Sequence, residues 1–570
     1  MAFRLLLALA ALAASAAAAD LDWWQTAVYY QIYPRSFKDS DGDGVGDLNG
    51  ITSKLEHLKD AGVTATWLSP IFKSPMADFG YDIADFYNID PLFGSNEDFF
   101  ALKARADELG LKVLLDFVPN HSSNESEWFT KSIQRIDPYT DYYVWEDGVP
   151  NADDPSKRDP PNNWISNFGG SAWAWNEERG QFFLHQFGLG QPDLNYRSPA
   201  LVEEMKNVLR FWLDRGIDGF RVDAVPFLFE NATLADEPRS YDPSALPTDE
   251  KYLKHIYTQN LPETMDMLTQ WRAVLDEYTA KDGETRVMLA EVYAPLLTTF
   301  EYFGTQEKPG AHLPFNFQFI QYLTNSSSAQ DLVDLALQWQ NGIPSWATSN
   351  WVVGNHDNHR AASRYGRELV DGLNMLVLLL PGVAVTYNGE EIGMEDAFIS
   401  WSQSVDPMGL NAGPDRYQLF SRDPERTPFQ WDDSKNAGFS DADTTWLPVN
   451  SDYKALNLKS EEGVAHSHYT TYQHLTTARK LPAVQRGALD IQALGDVVAF
   501  SRTLEGEQTV VVLVNWGADS LTVDASVLAG AQGELTVLIP SDNASYAEGD
   551  VVEASSIKMG PKDGLVLTSA

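Results

Sequence analysis

The sequence predicts an α/β fold: a (β/α)8 TIM barrel with a loop-rich subdomain inserted after strand 3 and a C-terminal antiparallel β-sandwich domain. Three observations carry this reading. Eight short β-rich runs alternate with amphipathic helical stretches, two intervals between runs are too long for ordinary connections, and past residue 480 the pattern changes to short alternating strands.

In chain order the strand runs are residues 28–33, 65–68, 113–118, 219–222, 287–291, 314–319, 351–354 and 383–387. The helical stretches between them place apolar residues at intervals of three and four. Residues 96–109 align Phe99, Phe100, Leu102, Ala106 and Leu109, and residues 199–214 align Leu201, Val202, Met205, Val208, Leu209 and Trp212. The interval from 121 to 193 is rich in Trp, Asn, Asp, Pro and Gly and reads as an insertion; a second loop-rich interval runs from 393 to 450. Further runs at 497–501, 509–514 and 535–539 belong to the sandwich. The expected organisation is a barrel built from 20–121 and 194–480, an inserted subdomain at 122–193 and a β-domain at 481–570.

Composition narrows the function. Of 570 residues, 41 are Lys or Arg and 81 are Asp or Glu, a formal charge of −40, so phosphate backbones and anionic lipid surfaces are poor partners. Hydrophobic residues at 44% and aromatics at 12% supply a large core. The absence of cysteine excludes disulfides, thiol catalysis and Cys-ligated metals, leaving a hydroxyl, amine or carboxylate as any nucleophile. Residues 1–19 have the charged start, apolar run and small-residue end of a secretory signal peptide; a membrane anchor, the competing reading, needs a run of about 20 apolar residues. A secreted, extracellular protein is therefore expected, and the sequons at Asn124, Asn231, Asn325 and Asn543 fit a glycoprotein, although such triplets also arise by chance. Asn120 also begins a sequon, but it lies at a strand end where a site is expected.

A barrel of this kind builds its site at the C-terminal ends of its strands. Those ends read Asp116-Phe-Val-Pro-Asn-His121, Gly219-Phe-Arg-Val-Asp-Ala224, Leu289-Ala-Glu-Val292 and Gly354-Asn-His-Asp357. Any one of Asp223, Glu291 and Asp357 alone also reads as a solvated loop acid or helix cap. Together, beside His121, Arg221 and His356 and without a zinc-like His cluster, they point to glycoside chemistry, which needs one carboxylate at the anomeric carbon and another on the leaving oxygen. Arg221 lies two residues before Asp223 and so on the same strand face, where a cation would keep a nucleophile ionised. Glu291, with Leu289, Ala290 and Val292 around it, is the expected general acid with a raised pKa. The run Asp39-Ser-Asp-Gly-Asp-Gly-Val-Gly-Asp47 puts carboxylates at alternate positions, as in one side of an EF-hand loop. Gly50 stands where the closing Glu would be, so a hard-cation cage from Asp39, Asp41, Asp43, the Val45 carbonyl and Asp47 competes with an empty solvated turn.

These four strand-end blocks resemble the conserved regions of the α-amylase superfamily of glycoside hydrolases, and Gln191-Pro-Asp-Leu-Asn195 is similar to a block of its α-glucosidase branch, to which the secreted insect-type maltases belong. Tyr29-Tyr-Gln-Ile-Tyr-Pro-Arg-Ser-Phe37, Phe79-Gly-Tyr-Asp-Ile83 and Arg422-Asp-Pro-Glu-Arg-Thr-Pro-Phe-Gln-Trp431 extend the likeness over residues 23–570. The resemblance implies Asp223 as nucleophile, Glu291 as acid/base and Asp357 as transition-state stabiliser of a retaining double displacement. It implies His121, His356 and Arg221 as partners of the first sugar, Tyr81 stacked on its ring, and Asp82 with Arg426 as the clamp on the non-reducing glucose. It also implies a structural Ca2+ in the 39–47 loop. Ala224, where α-1,6 specialists resemble one another in valine, favours α-1,4 linkages and sucrose-type bonds. Three alternatives stay open on these residues: a sucrose-specific hydrolase, a transglucosidase on the same site, and a receptor-type or transporter-associated homologue. Three carboxylates and no membrane span argue against the last.

Overall fold

The computed structural model describes residues 21–569, so the expected signal peptide at 1–19 lies outside the described residues. Eight parallel strands form the barrel: β1 (Val28–Ile32), β2 (Ala65–Leu68), β3 (Lys112–Phe117), β4 (Gly219–Val222), β5 (Val287–Ala290), β6 (Leu313–Pro314), β7 (Asn350–Val352) and β8 (Val383–Tyr387). Their spatial order is β6-β5-β4-β3-β2-β1-β8-β7. Both faces are buried, as a parallel barrel requires. Tyr29, Ala65, Trp67, Leu114, Val287, Leu289, Val383 and Val385 point inward and pack together, while their sequence neighbours Tyr30, Val113, Met288 and Ala384 join the larger core under the helices.

The sixth strand departs from expectation. Instead of spanning 314–319, β6 pairs with β5 only at Leu313 and Pro314, and a helical turn, Gln318–Gln321, follows. The β6/β7 seam carries no backbone ladder. The buried Asn350 side chain bridges it, accepting from Asn316 N at 2.8 Å and donating to the Pro314 carbonyl at 2.8 Å. An amide side chain thus satisfies the groups that a ladder would otherwise pair.

The helices form where the apolar spacing predicts. Asn96–Leu109 begins at a Ser95/Asp98 capping box and stops at Gly110, whose φ of 76° lets the chain leave the helix in the left-handed region. In the insertion, Trp145–Glu146, Trp173–Asn176 and Gln181–Leu184 make a three-stranded antiparallel sheet over a small core of Trp164, Trp173, Phe182 and Leu184. Bridges from His121 to Asp193 and from Tyr143 to Leu194 fasten it to the end of β3.

At the C-terminus six antiparallel strands run in the order Ala488–Leu494, Val497–Thr503, Val510–Asn515, Gly564–Ser569, Glu534–Pro540 and Val551–Glu553. The paired strands Leu521–Val523 and Ile557–Met559 cover one face, enclosing Ala499, Leu513, Val537 and Leu567. The other face, with Val498, Phe500, Val512 and Val566, continues the barrel core. It meets the wholly buried helix Val370–Leu379, where a Cβ added to Gly372 would lie 2.6 Å from Val514. The sheet therefore docks through apolar contact rather than across a hydrated linker. No helix among the described residues is long and apolar enough to cross a membrane.

Candidate active site

The two-residue alternation of a strand assembles the centre. Arg221 on β4 stands in register with Asp116 on β3 and Leu289 on β5, so Asp116, Arg221, Asp223 and Glu291 all leave their strands on the inward face. Arg221, 3% exposed, holds three carboxylates at once. One terminal nitrogen donates to Asp116 at 2.9 Å and Asp223 at 2.6 Å, and the other lies 2.9 Å from Glu291. One guanidinium faces three buried carboxylates, so burial and mutual repulsion favour the protonated form of an acid in the cluster. Burial pushes Asp223 well up, with the Glu291 charge adding to it and Arg221 opposing. Burial likewise brings Asp116 to about 7 against the pull of Arg221.

The residue after Asp223 is turned unusually. Ala224 has φ of 47°, a left-handed conformation rare outside glycine, and its N–H donates to Glu291 Oε2 at 3.0 Å. Across the cavity Asp357 accepts from Arg426 at 2.7 Å and faces Arg422 at 3.3 Å. Burial opposes its charge, but the His356 ring and the Arg426, Arg422 and Arg221 guanidiniums outweigh it and hold the carboxyl well below the usual carboxylate range. Burial lowers both histidines, His121 to about 3 and His356 well below its ordinary value. Gln31 donates to His356 Nδ1 at 2.8 Å, which leaves the ring proton on Nε2, 2.6 Å from the Tyr81 hydroxyl. Tyr81 and His356 stack with ring centroids 5.3 Å apart. His121 Nε2 donates to the Tyr81 carbonyl at 3.1 Å.

These groups line a cavity of about 490 Å3 with Phe168, Phe187, Phe227 and Phe420 among its walls. Asp223, Glu291, Asp357, Tyr81, His121 and His356 all reach it, with Arg221 directly beneath.

The clamp is a correction. Asp82 and Arg426 do not meet and neither lines the cavity. Asp82, with no exposed surface, accepts from Ser74 Oγ, Ala77 N and Asp78 N, and so orders its own turn. Arg426 is also fully buried, bound to the His356 carbonyl and to Asp357 from behind. The pair at the cavity wall is Asp78 with Arg422, 2.8 Å apart. Arg422 is seated by Asp406 at 2.6 Å and lies over the Phe168 ring at 5.1 Å. Both residues of this pair sit four positions before the expected ones, inside the same motifs. Asp78, Arg422, Asp116, Asp406 and Gln31 are the residues that sequence reasoning left out of the site. Gln191 links the fifth block to the centre, donating to Asp78 at 3.1 Å beside His121.

The acidic loop is compatible with a hard cation. Carboxylate oxygens of Asp39, Asp41 and Asp43 can gather within 4.8 Å of one another. Burial raises the Asp43 pKa, and the charges of Asp41, Asp39 and Asp47 raise it further, a repulsion that a cation would relieve. Asp47 caps the helix Leu48–Asp60 through Gly50 N and also accepts from Ser40, which orients its carboxylate. Val45 N donates to Asp43 at 2.7 Å. Of the sequons, Asn124, Asn325 and Asn543 are exposed and Asn231 is half-buried.

Residues 31–487 match the α-amylase catalytic domain family. The chain is 48% identical to Maltase A1 of Drosophila melanogaster, covering 96% of each, and 49% identical to the salivary alpha-glucosidase of Anopheles gambiae, covering 96% of this chain and 93% of that one. Among solved structures, the alpha-glucosyl transfer enzyme XgtA is similar over 97% of this chain and 100% of its own, at 34% identity and a TM-score of 0.85.

Proposed function

Because the chain belongs to the α-amylase family of glycoside hydrolases, we propose that it is a retaining, exo-acting α-glucosidase that releases glucose from the non-reducing end of maltose, short malto-oligosaccharides and sucrose. One observation carries the reading. Arg221 grips Asp223 and Glu291 through its two terminal nitrogens in a cavity walled by the Asp78–Arg422 pair. Two carboxylates held on one guanidinium suit the close spacing of about 5–5.5 Å used in covalent retention, not the roughly 6.5–9.5 Å that leaves room for a water.

Asp223 attacks the anomeric carbon while Glu291 donates its proton to the departing oxygen, which gives a covalent glucosyl ester. Glu291, now ionised, then takes a proton from water, which attacks the same carbon and frees Asp223, so configuration is retained. Asp357, kept ionised by its arginines, faces the positive charge that develops on the sugar ring. Tyr81 and His356 offer a flat surface for the ring, and His121 offers a neutral hydrogen-bonding group. The Asp78–Arg422 wall blocks the passage of a longer chain and binds the terminal glucose. Ala224 leaves room for α-1,4 and sucrose bonds, worth about 1–3 kcal/mol of preference over α-1,6.

The same proposal includes a structural Ca2+ held by Asp39, Asp41, Asp43, the Val45 carbonyl and Asp47. It would brace the loop that Ser440 joins to the region after β8 at 2.5 Å, with no part in the chemistry. Secretion and glycosylation at the exposed or half-buried asparagines complete it. Transfer to a sugar acceptor is a second reading favoured by the aromatic cavity walls and by the likeness to a glucosyl transfer enzyme.

The test is initial glucose release from maltose, sucrose, isomaltose and starch at equal glucosyl concentration, with Asp223→Asn as control. Fast maltose and slow starch cleavage is expected. Absence of release from all four by folded, calcium-loaded protein overturns the hydrolase reading, and oligosaccharide products accumulating in place of glucose at high maltose would favour transfer.

A further inference from the structure

Behind the sugar pocket, three side chains from separate segments meet without any part in the chemistry above. His359 follows Asp357 on the segment after β7, Asp396 lies in the loop after β8, and Glu425 stands between Arg422 and Arg426. His359 Nδ1 is 2.8 Å from Asp396 and 3.6 Å from Glu425 Oε2, and one ligand atom from each residue falls within 4.8 Å of the other two. Glu425 is 1% exposed, and its Oε2 has no hydrogen-bond partner although it is aimed into this cluster. A buried carboxylate oxygen left without a donor is costly, and a cation is a group that satisfies it.

We propose that His359, Asp396 and Glu425 form a second metal site, distinct from the acidic loop and selective for a divalent transition ion such as Zn2+. One imidazole with two carboxylates is a borderline donor set that suits Zn2+ and does not suit Ca2+, which favours six to eight oxygens. Bonds of about 2.0–2.2 Å in a tetrahedron set ligand atoms about 3.3–3.6 Å apart. The His359–Glu425 separation already matches, and the His359–Asp396 contact must open by roughly half an ångström. His359 is half-exposed, which provides an entry path and leaves the fourth position to water. The Asp396 carboxylate is oriented from beside the histidine, since Arg360 N donates to Asp396 Oδ1 at 2.8 Å. A bound ion would tie the β7 and β8 loops to the segment that carries Arg422 and Arg426. It would therefore stiffen the arginines behind Asp357.

The experiment is calorimetric titration of Zn2+ into the chelator-stripped mature chain with excess Ca2+ present, so that the acidic loop is saturated. One equivalent is expected to bind and to raise the melting temperature. His359→Ala, an exposed change that leaves the core intact, should weaken binding at least tenfold. Glu425→Gln should do the same, and Asp41→Asn should leave zinc affinity unchanged. Absence of saturable binding, equal affinity in His359→Ala, or displacement of zinc by the excess Ca2+ would each overturn the proposal.

Discussion

Replacing Asp78 by Asn separates the two possible clamps more sharply than any other change. In the structure Asp78 meets Arg422 at 2.8 Å, and burial drives its pKa up to about 6 while Arg422 pulls the other way. The amide keeps the shape and removes the charge. Arg422 is not stranded, because Asp406 at 2.6 Å and Asp357 at 3.3 Å still hold it, so the several kcal/mol lost when a buried cation has no partner do not arise. What is lost is one charge-assisted hydrogen bond to a sugar hydroxyl, worth about 1.5–3 kcal/mol. At about 1.4 kcal/mol per decade, kcat/KM for maltose should fall roughly 10- to 100-fold with the melting temperature little changed. Asp82→Asn should behave in the opposite way. Its carboxylate serves Ser74, Ala77 and Asp78 and touches no sugar, so the melt should drop with maltose kinetics nearly intact. Steady-state kinetics on maltose with parallel thermal melts decide between them. The reasoning is refuted if Asp78→Asn retains kcat/KM within twofold while Asp82→Asn loses tenfold with an unchanged melt.

Asp223→Asn should reduce kcat by on the order of 10^4 or more with the fold retained, as circular dichroism and glucose release will report. Asn350→Ala strips the barrel seam of its donor and acceptor, leaving Asn316 N and the Pro314 carbonyl unpaired; urea unfolding should lose about 2–4 kcal/mol. Glu390 is buried, its Oε1 lacks a partner, and burial raises its pKa to about 7. Its folded pKa lies above the unfolded value of about 4.3, so the stability it contributes is complete below that value and is lost as pH rises through 7. Asp193, Glu230 and Glu461, each also raised by burial to about 7, act in the same direction. Melting temperature should therefore decline from pH 5 to pH 8, and Glu390→Gln should recover part of that decline. Chelation should lower the melting temperature of the parent chain, and Asp43→Asn should respond less.

The chemistry of the catalytic centre was legible because strand alternation is local. Arg221 and Asp223 could be assigned to one strand face from their spacing, with Glu291 at a neighbouring strand end, and the 3.6-residue period marked the helices at 96–109 and 199–214 almost to the residue. The sixth strand was not legible. The run Pro314-Phe-Asn-Phe-Gln-Phe319 alternates aromatic and polar residues as a strand does, yet Phe315 and Phe317 fill the barrel mouth from a turn. The period of two records which side chains are buried, and a turn that buries alternate residues leaves the same trace.

The sequence by itself determined the class of fold, the three carboxylates and the absence of any thiol chemistry, because each follows from residue type and near-neighbour spacing. The tertiary contacts alone place Asp78 rather than Asp82, and Arg422 rather than Arg426, at the cavity wall, and bring three acids onto one guanidinium. Each choice is made by groups far away in the chain. Asp78 and Arg422 are 344 residues apart, and the Arg221 guanidinium gathers acids from β3, β4 and β5. Motifs hold two acids or two arginines four residues apart with equal ease; access to the cavity and the Asp78–Arg422 ion pair distinguish them.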